Sequence, residues 1–254
     1  DRARSRSVVM ETGAQTVEMT SDSLRIPRVS SDPTMEVKSE NAAFSGSDVE
    51  FDAVTLVPYL VGTYIKASRE LAEDSPVFPQ QVEAVMSRAL AETIDGYALN
   101  GTGSQQPLGI IGYPDVNDTG SVGAIAWEDV HTAATTIRAA NHEPNAFVLH
   151  PTIMGDLEVL TTGDGANSAK NWLGAPPGVS GLMALRTSNL TTAQGIVGDF
   201  RQVIIGVRTN PMIQVSDVAV NAFEKHQVAI KITTRWDMAL MHSDAFETLS
   251  GITT

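Results

Sequence analysis

The chain has 254 residues, 42% hydrophobic and 19% charged, a size and balance that suit one large or two small folded domains. It has no cysteine, which excludes a disulfide scaffold, a thiolate zinc site and a cysteine nucleophile, and its formal charge of -13 opposes any grip on a phosphate backbone. No apolar run approaches the ~20 residues of a membrane span, and the opening DRARSRSVVM has no apolar signal core, so a soluble, non-exported protein is expected.

Residues 1–24 are polar and weakly periodic and read as an extended arm. Arg2, Arg4 and Arg6 form its basic cluster, a solvated tail or an arm laid on an acidic neighbour. From 25 to 68, Ile26, Arg28, Val29, Met35 and Val37, then Val49, Phe51, Val54, Leu56 and Val57, predict two strands around the turn-rich Ser45 to Asp48. Two arms of about fifteen residues would make a ribbon of roughly 50 Å with no core of its own. It has to lie on something, and a neighbouring copy is the expected support.

Asp74 and Ser75 offer N-caps and Pro79 a first-turn residue for a long helix. Its greasy face recurs at Val82, Val85, Met86, Ala89, Leu90, Thr93, Ile94 and Tyr97. Asn100, Gly101 and Gly103 are expected to stop it and allow positive φ. A second amphipathic helix is predicted over Trp127 to Ala140, with Val130, Ala133, Ala134 and Ile137 inward and Glu128 and Asp129 in its first turn. Phe147 to Leu149 reads as a buried strand, Pro151 to Leu160 as a helix and 161–181 as a loop. Strands follow at Leu182 to Leu190, Gly195 to Phe200, Val203 to Val207, Met212 to Val215 and Val228 to Thr234. Helices and strands interleave without a βαβ repeat, which is the α+β class.

Little in the chain points to catalysis. The G-x-G of Asn100 to Pro107 follows a helix and has Gln106 where a dinucleotide fingerprint needs a third glycine. No G-x4-G-K-[ST] occurs, and His131, His142, His150, His226 and His242 have no metal-ligand spacing, so no cofactor or metal is expected. Asp237, His242 and Asp244 together with a serine would fit a hydrolase triad, but no G-x-S-x-G elbow accompanies them.

Blocks of lettering point elsewhere. SLRIPRVSSDPTMEVKSENAAFSGSDVEFDAVTLVP, SREL at Ser68 to Leu71, NGTG-x3-PLGI at Asn100 to Ile110, NAFVLHPTIMGDLEVL, GIVGDFRQVIIGVR and FEKHQVAIKITTRWDMALMHSDAFETL occur in one order. Gly198, Asp199, Phe200, Arg235, Ala245 and Phe246 stand at the matching places. From about Leu24 onward the chain resembles the major capsid proteins of tailed bacteriophages.

The resemblance implies the phage major capsid fold. Its parts would be an N-terminal arm (1–24), an extended β-hairpin loop (25–62), a peripheral domain with a long spine helix (63–121), an axial domain (122–206), peripheral return strands (207–235) and a closing axial part (236–254). It implies hexamers and pentamers in an icosahedral shell around double-stranded DNA, without specific DNA binding or a membrane, in the virion of a phage or a gene transfer agent. Assembly would occur in the bacterial host cytoplasm with portal and scaffolding or protease partners, and Asp1 would be a maturation cleavage point or merely the edge of the ordered chain. Glu36, Lys38, Glu40, Arg69 and Arg235, together with Arg2, Arg4 and Arg6, are the candidate intersubunit or buried ion-pair residues. Some relatives weld their shells by a lysine–asparagine isopeptide bond with a glutamate base. The aligned positions here are Phe44, His226 and Thr233, which supply none of the three groups. Two alternatives stay open: a cellular nanocompartment shell of the same fold, and an acidic α+β hydrolase using Asp237 and His242.

Overall fold

The computed structural model describes residues 7–31, 35–38, 50–162, 171–172, 174–217 and 225–253. Arg2, Arg4, Arg6, Glu40 and Phe44 therefore lie outside the described residues. In chain order the elements are α1 (Val8–Glu11), β1 (Gln15–Glu18), β2 (Leu24–Ser31), β3 (Glu50–Leu56), β4 (Tyr59–Ser68), α2 (Arg69–Asp74), α3 (Phe78–Asn100), β5 (Asn117–Ala124), α4 (Trp127–Ala139), β6 (Ala146–Leu149), α5 (Pro151–Glu158), β7 (Thr161–Thr162), β8 (Asn171–Trp172), β9 (Met183–Arg186), β10 (Gln194–Gly198), β11 (Val203–Ser216), β12 (Gln227–Leu240) and β13 (Phe246–Thr253).

Two sheets organise them. One has the order β1-β11-β12-β4, the other β5-β13-β10-β6-β9, while β2 and β3 form a hairpin and β7 and β8 a short pair. Along β12 the alternating Ile230, Ile232, Thr234 and Trp236 are all buried. A strand's period of two sends them to one face, and there Val82, Met86, Leu90 and Ile94 of α3 meet them at the 3.6-residue spacing of a helix. In the other sheet Phe147, Leu149, Val197 and Leu249 face Val130, Ala133, Ala134 and Ile137 of α4. The four predicted inward residues of that helix are fully buried, and Asp129 caps its start by accepting from Ala126 N–H at 2.8 Å.

The long helix is present over 23 residues, a rod of roughly 35 Å, with three corrections. Its N-cap is Val77, because Arg69 to Asp74 form the separate helix α2, which Ser75 closes. Val85 points to solvent. Gly101 closes the helix as its C-cap at φ -67, so the stop is not left-handed, whereas Gly103, three residues past the helix end, is at φ +74. Gly101 instead permits a close crossing, since a Cβ there would lie 2.2 Å from the Pro107 carbonyl oxygen, and Gly109 N–H donates to Gly101 O at 2.9 Å. The NGTG-x3-PLGI lettering thus encodes two backbones in contact.

The amino-terminal stretch also departs from expectation. From residue 7 onward it is no free arm. Ser7 caps α1, Val9 is fully buried, and β1 pairs in parallel with β11, Gln15 opposite Ile204 through Glu18 opposite Val207. Its anchor is a single carboxyl on α3. Asp95 accepts from Ser7 Oγ at 2.6 Å, Val8 N at 2.8 Å and Val9 N at 3.2 Å. A four-residue helix carries too little periodicity to be read from sequence.

The hairpin pairs Leu24 with Leu56 through Ser31 with Glu50. Its described paired arms are 8 and 7 residues long, about half the expected ribbon. Tyr59 to Gly62 belong to β4 and pair with Trp236 to Thr233. The strands expected at Val203 to Val207 and Met212 to Val215 are one strand, β11, interrupted by register shifts around Thr209. Pro211 and those bulges hid its continuity. β12 likewise runs through Arg235 to Leu240.

Candidate assembly surface

Three apolar groups hold the base of the hairpin. Val54 and Leu56 are buried with Met19, Ile204 and Ala239. Polar ties flank this plug on each strand. Arg28 donates through its guanidinium to the Met241 carbonyl at 2.9 Å and to Asp52 at 2.8 Å, while Val57 N–H donates to Asp237 Oδ2 at 2.7 Å. Asp237 is only 7% exposed. Burial pushes its carboxyl up to about 6, against the lowering effect of the Val57 and Met238 N–H groups. The neighbouring Asp52 is held below the usual range, first by the Ala53 N–H and then by Arg28. A cleft of about 530 Å³, lined by Arg28, Asp52, Tyr59, Tyr113, Asp115 and Asp237 among others, separates the hairpin base from the body.

Beyond its base the hairpin has little cover. Val29, Met35, Val37 and Phe51 are exposed, as are Leu60 and Tyr64 on β4 and Met212, Ile213 and Val215 on β11. In register, Leu60 lies opposite Arg235, Tyr64 opposite Lys231, and Met212 opposite Thr233, so these three share the face of the four-stranded sheet that points away from α3, while Ile213 and Val215, opposite Ile232 and Ile230, lie on the other. Isolated apolar residues on a surface mean little; a run of them along one sheet and one protruding hairpin marks a contact surface.

The sequence-predicted charges are paired within the chain. Glu36 and Lys38 meet at 2.6 Å, Arg69 holds Glu73 at 2.9 Å and Asp217 at 3.8 Å, and Arg235 lies 3.6 Å from Asp22. All are solvent-facing pairs of small energy, so none is the buried ion pair that was one of the two expectations. Sequence reading missed Asp95, and it named Asp237 only as a triad candidate and Arg28 only as a strand residue, without the ties they make. Each depends on a partner more than eighty positions away, which local spacing does not reveal.

The triad arrangement is not formed. Asp237 spends its carboxylate on Val57 and Met238 N–H, whereas the ring of His242 lies 5.3 Å from that of His142. Burial, and then His142, hold His242 below its usual range, with no serine brought to it by any described hydrogen bond. Among the described residues no group of three or more His, Cys, Asp or Glu side chains is placed to hold a metal ion, and no helix is long and apolar enough to cross a membrane.

A family model described as the phage capsid family matches residues 1–251. Among solved structures the chain is similar to the capsid of a native GTA particle computed with C5 symmetry, at 18% identity and TM-score 0.74 over 100% of this chain and 91% of that one. It is also similar to a chain of Mycobacterium phage Adephagia (17% identity, TM-score 0.78, 98% and 90% covered) and of Mycobacterium phage Cain (20%, 0.72, 92% and 84%). No curated protein matches it.

Proposed function

Because the chain belongs to the phage capsid family, we propose that it is a major capsid protein whose copies close into an icosahedral shell around the double-stranded DNA of a tailed phage or a gene transfer agent. The observation that carries the reading is the hairpin: a protruding ribbon whose outer residues Met35, Val37 and Phe51 are exposed among the described residues, a shape that a shared lattice supports and a monomer does not. The family match favours this over a cellular nanocompartment or a hydrolase.

The finer assignment follows the two sheets. The four-stranded sheet with α3 serves as the peripheral part with its spine, the five-stranded sheet with α4 as the axial part, and the hairpin as the extended loop laid over a neighbour. β11 and β12 run past 206 and 235 within the four-stranded sheet, and short 3-10 turns at Phe200–Gln202 and Ser243–Ala245 lead from them to β10 and β13 of the five-stranded one. Hexamers and pentamers are the building units, each copy gripping several others through weak contacts that sum to a durable shell. Arg69, Arg235, Glu36, Lys38 and Glu40 exchange partners with neighbouring copies, and Arg2, Arg4 and Arg6 reach an acidic neighbour. The acidic surface confines DNA without gripping it. Portal, scaffolding and protease partners act during assembly in the host cytoplasm.

Electron microscopy of the purified protein, with light scattering, tests this. Closed shells, or pentamers and hexamers, are expected. A monodisperse monomer under assembly-promoting conditions would overturn the reading.

A further inference from the structure

Three connecting turns meet where the two sheets join: 140–145 after α4, the 3-10 turn Phe200–Gln202 after β10, and 241–245 between β12 and β13. Met241 N–H donates to the Gln202 carbonyl at 2.9 Å, Asp199 N–H to the Ala245 carbonyl at 2.9 Å, and Phe200 N–H to Asn145 Oδ1 at 2.9 Å. His142 N–H donates to the Ile137 carbonyl of α4 at 3.2 Å. These bonds fix the backbone on which two histidines stand.

His142 comes from the turn that enters the five-stranded sheet, His242 from the turn that leaves the four-stranded one. Their rings lie 5.3 Å apart, centre to centre, with their planes at 37°, and both residues are half-buried. Two imidazoles that reach one tetrahedral ion through nitrogens at ~2.0 Å hold their ring centres about 5 Å apart. The pair can therefore close on an ion by side-chain rotation, without moving either backbone. Sequence spacing hid it, because only the fold brings the two residues together.

The chemistry of the pair selects the ion. Imidazole suits zinc, copper(II) and nickel, whereas magnesium and calcium take oxygen ligands. Two protein ligands do not make a closed structural site and leave positions for water. The charged groups acting on His242 are Arg28, which opposes a cation, and Asp244, which favours one. Arg28 is itself held by Asp52 at 2.8 Å and donates to the Met241 carbonyl at 2.9 Å, so its charge is offset where it stands.

We propose that His142 and His242 form a two-histidine site for a borderline divalent transition metal, zinc, copper(II) or nickel, which clasps the turn after α4 to the turn after β12. The hairpin is drawn into the clasp, because Arg28 holds the Met241 carbonyl next to His242. A bound ion thus locks three parts of the chain at one joint: the hairpin base and both sheets.

The test titrates tag-free native subunits with zinc alone and with copper(II) alone. One ion per chain is expected, with two nitrogen ligands in the electron paramagnetic resonance spectrum of the copper form. Free zinc at about ten times its dissociation constant should raise the unfolding midpoint by about 3 °C or more, and magnesium should leave it in place. His142→Gln and His242→Gln fill the space without a strong ligand, and each should weaken zinc binding at least ten-fold, while His131→Ala should not. Absence of binding, a copper spectrum with fewer than two nitrogens, or a loss with His131→Ala equal to that with the pair would overturn the proposal. A rise with magnesium equal to that with zinc would point to carboxylates and overturn it too. Should the glutamine variants fail to fold, nuclear magnetic resonance of the native chain decides: zinc must shift the ring signals of His142 and His242, and shifts confined to other histidines would sink the site.

Discussion

The carboxylate of Asp237 in β12 accepts from the backbone N–H of Val57, 180 positions earlier, at 2.7 Å. One bond thereby ties the exit of the hairpin to the central strand of the sheet. Because Asp237 is buried, the tie is made by a carboxyl whose proton affinity is raised to about 6 from the ordinary 3.8.

The sign of the pH dependence follows. The folded state binds this proton more tightly than the unfolded chain, so the contribution is complete below pH ~4 and is lost as pH rises through about 6. Asp237→Asn keeps an acceptor for Val57 and removes the titration. The full shift corresponds to ~3 kcal/mol, and residual contact with water trims this to about 1–2 kcal/mol. Denaturant unfolding of unassembled subunits at pH 5 and pH 8 should show the variant's gain on the native chain to be larger at pH 8 by about 1 kcal/mol, part of the loss having already occurred between the ordinary 3.8 and pH 5. Equal gains at both values would show that Asp237 does not titrate in this range.

Asp95 is a second buried acid, its carboxyl likewise pushed up by burial against the lowering effect of three donors from Ser7, Val8 and Val9. Asp95→Ala leaves those donors without an acceptor and should cost about 2–4 kcal/mol. Limited proteolysis should then cut within residues 7–18 while α3 stays protected. Resistance equal to that of the native chain would mean β1 alone secures the stretch.

Gly109 and Gly155 make a paired test. A Cβ at Gly109 would lie 2.3 Å from Gly101 N and 2.7 Å from Asn100 N, whereas one at Gly155 meets nothing within 4 Å. Gly109→Ala should destabilise by more than ~2 kcal/mol, and Gly155→Ala, inside α5, should stabilise by about 0.5–1 kcal/mol. Thermal melts of the two variants should move in opposite directions.

Covalent welding is not expected at the aligned positions Phe44, His226 and Thr233, which offer no amine, carboxamide or general base. Particles boiled in detergent should run as one band near 27.0 kDa. A ladder of multimers would implicate another lysine, Lys38 first.

What the sequence disclosed depended on range. The inward residues of α4 and the face of α3 were legible because a helix repeats its pattern within a dozen positions. The NGTG-x3-PLGI block was legible as lettering, but its physical reason, two glycine backbones in contact at 101 and 109, needed coordinates. Asp95 and Asp237 look like any other acids until partners about 90 and 180 positions away are seen. The helix of residues 8–11 was missed because tertiary anchoring, not local propensity, forms it. The family-order blocks carried the function, since no single residue of a shell surface has the chemical signature of an active site.

The order of strands in space also governs when the molecule becomes itself. β12 is an inner strand of the four-stranded sheet and β13 an inner strand of the five-stranded one, yet both are encoded after every strand they hold together. While the nascent chain is still being translated, β4 and β11 lack the strand between them, and β5 and β10 lack theirs. Non-local pairing of this kind closes late and slowly. Both sheets therefore close only once β12 and β13 have been made, and the hairpin base, which packs on β11 and β12, cannot take its final place before then.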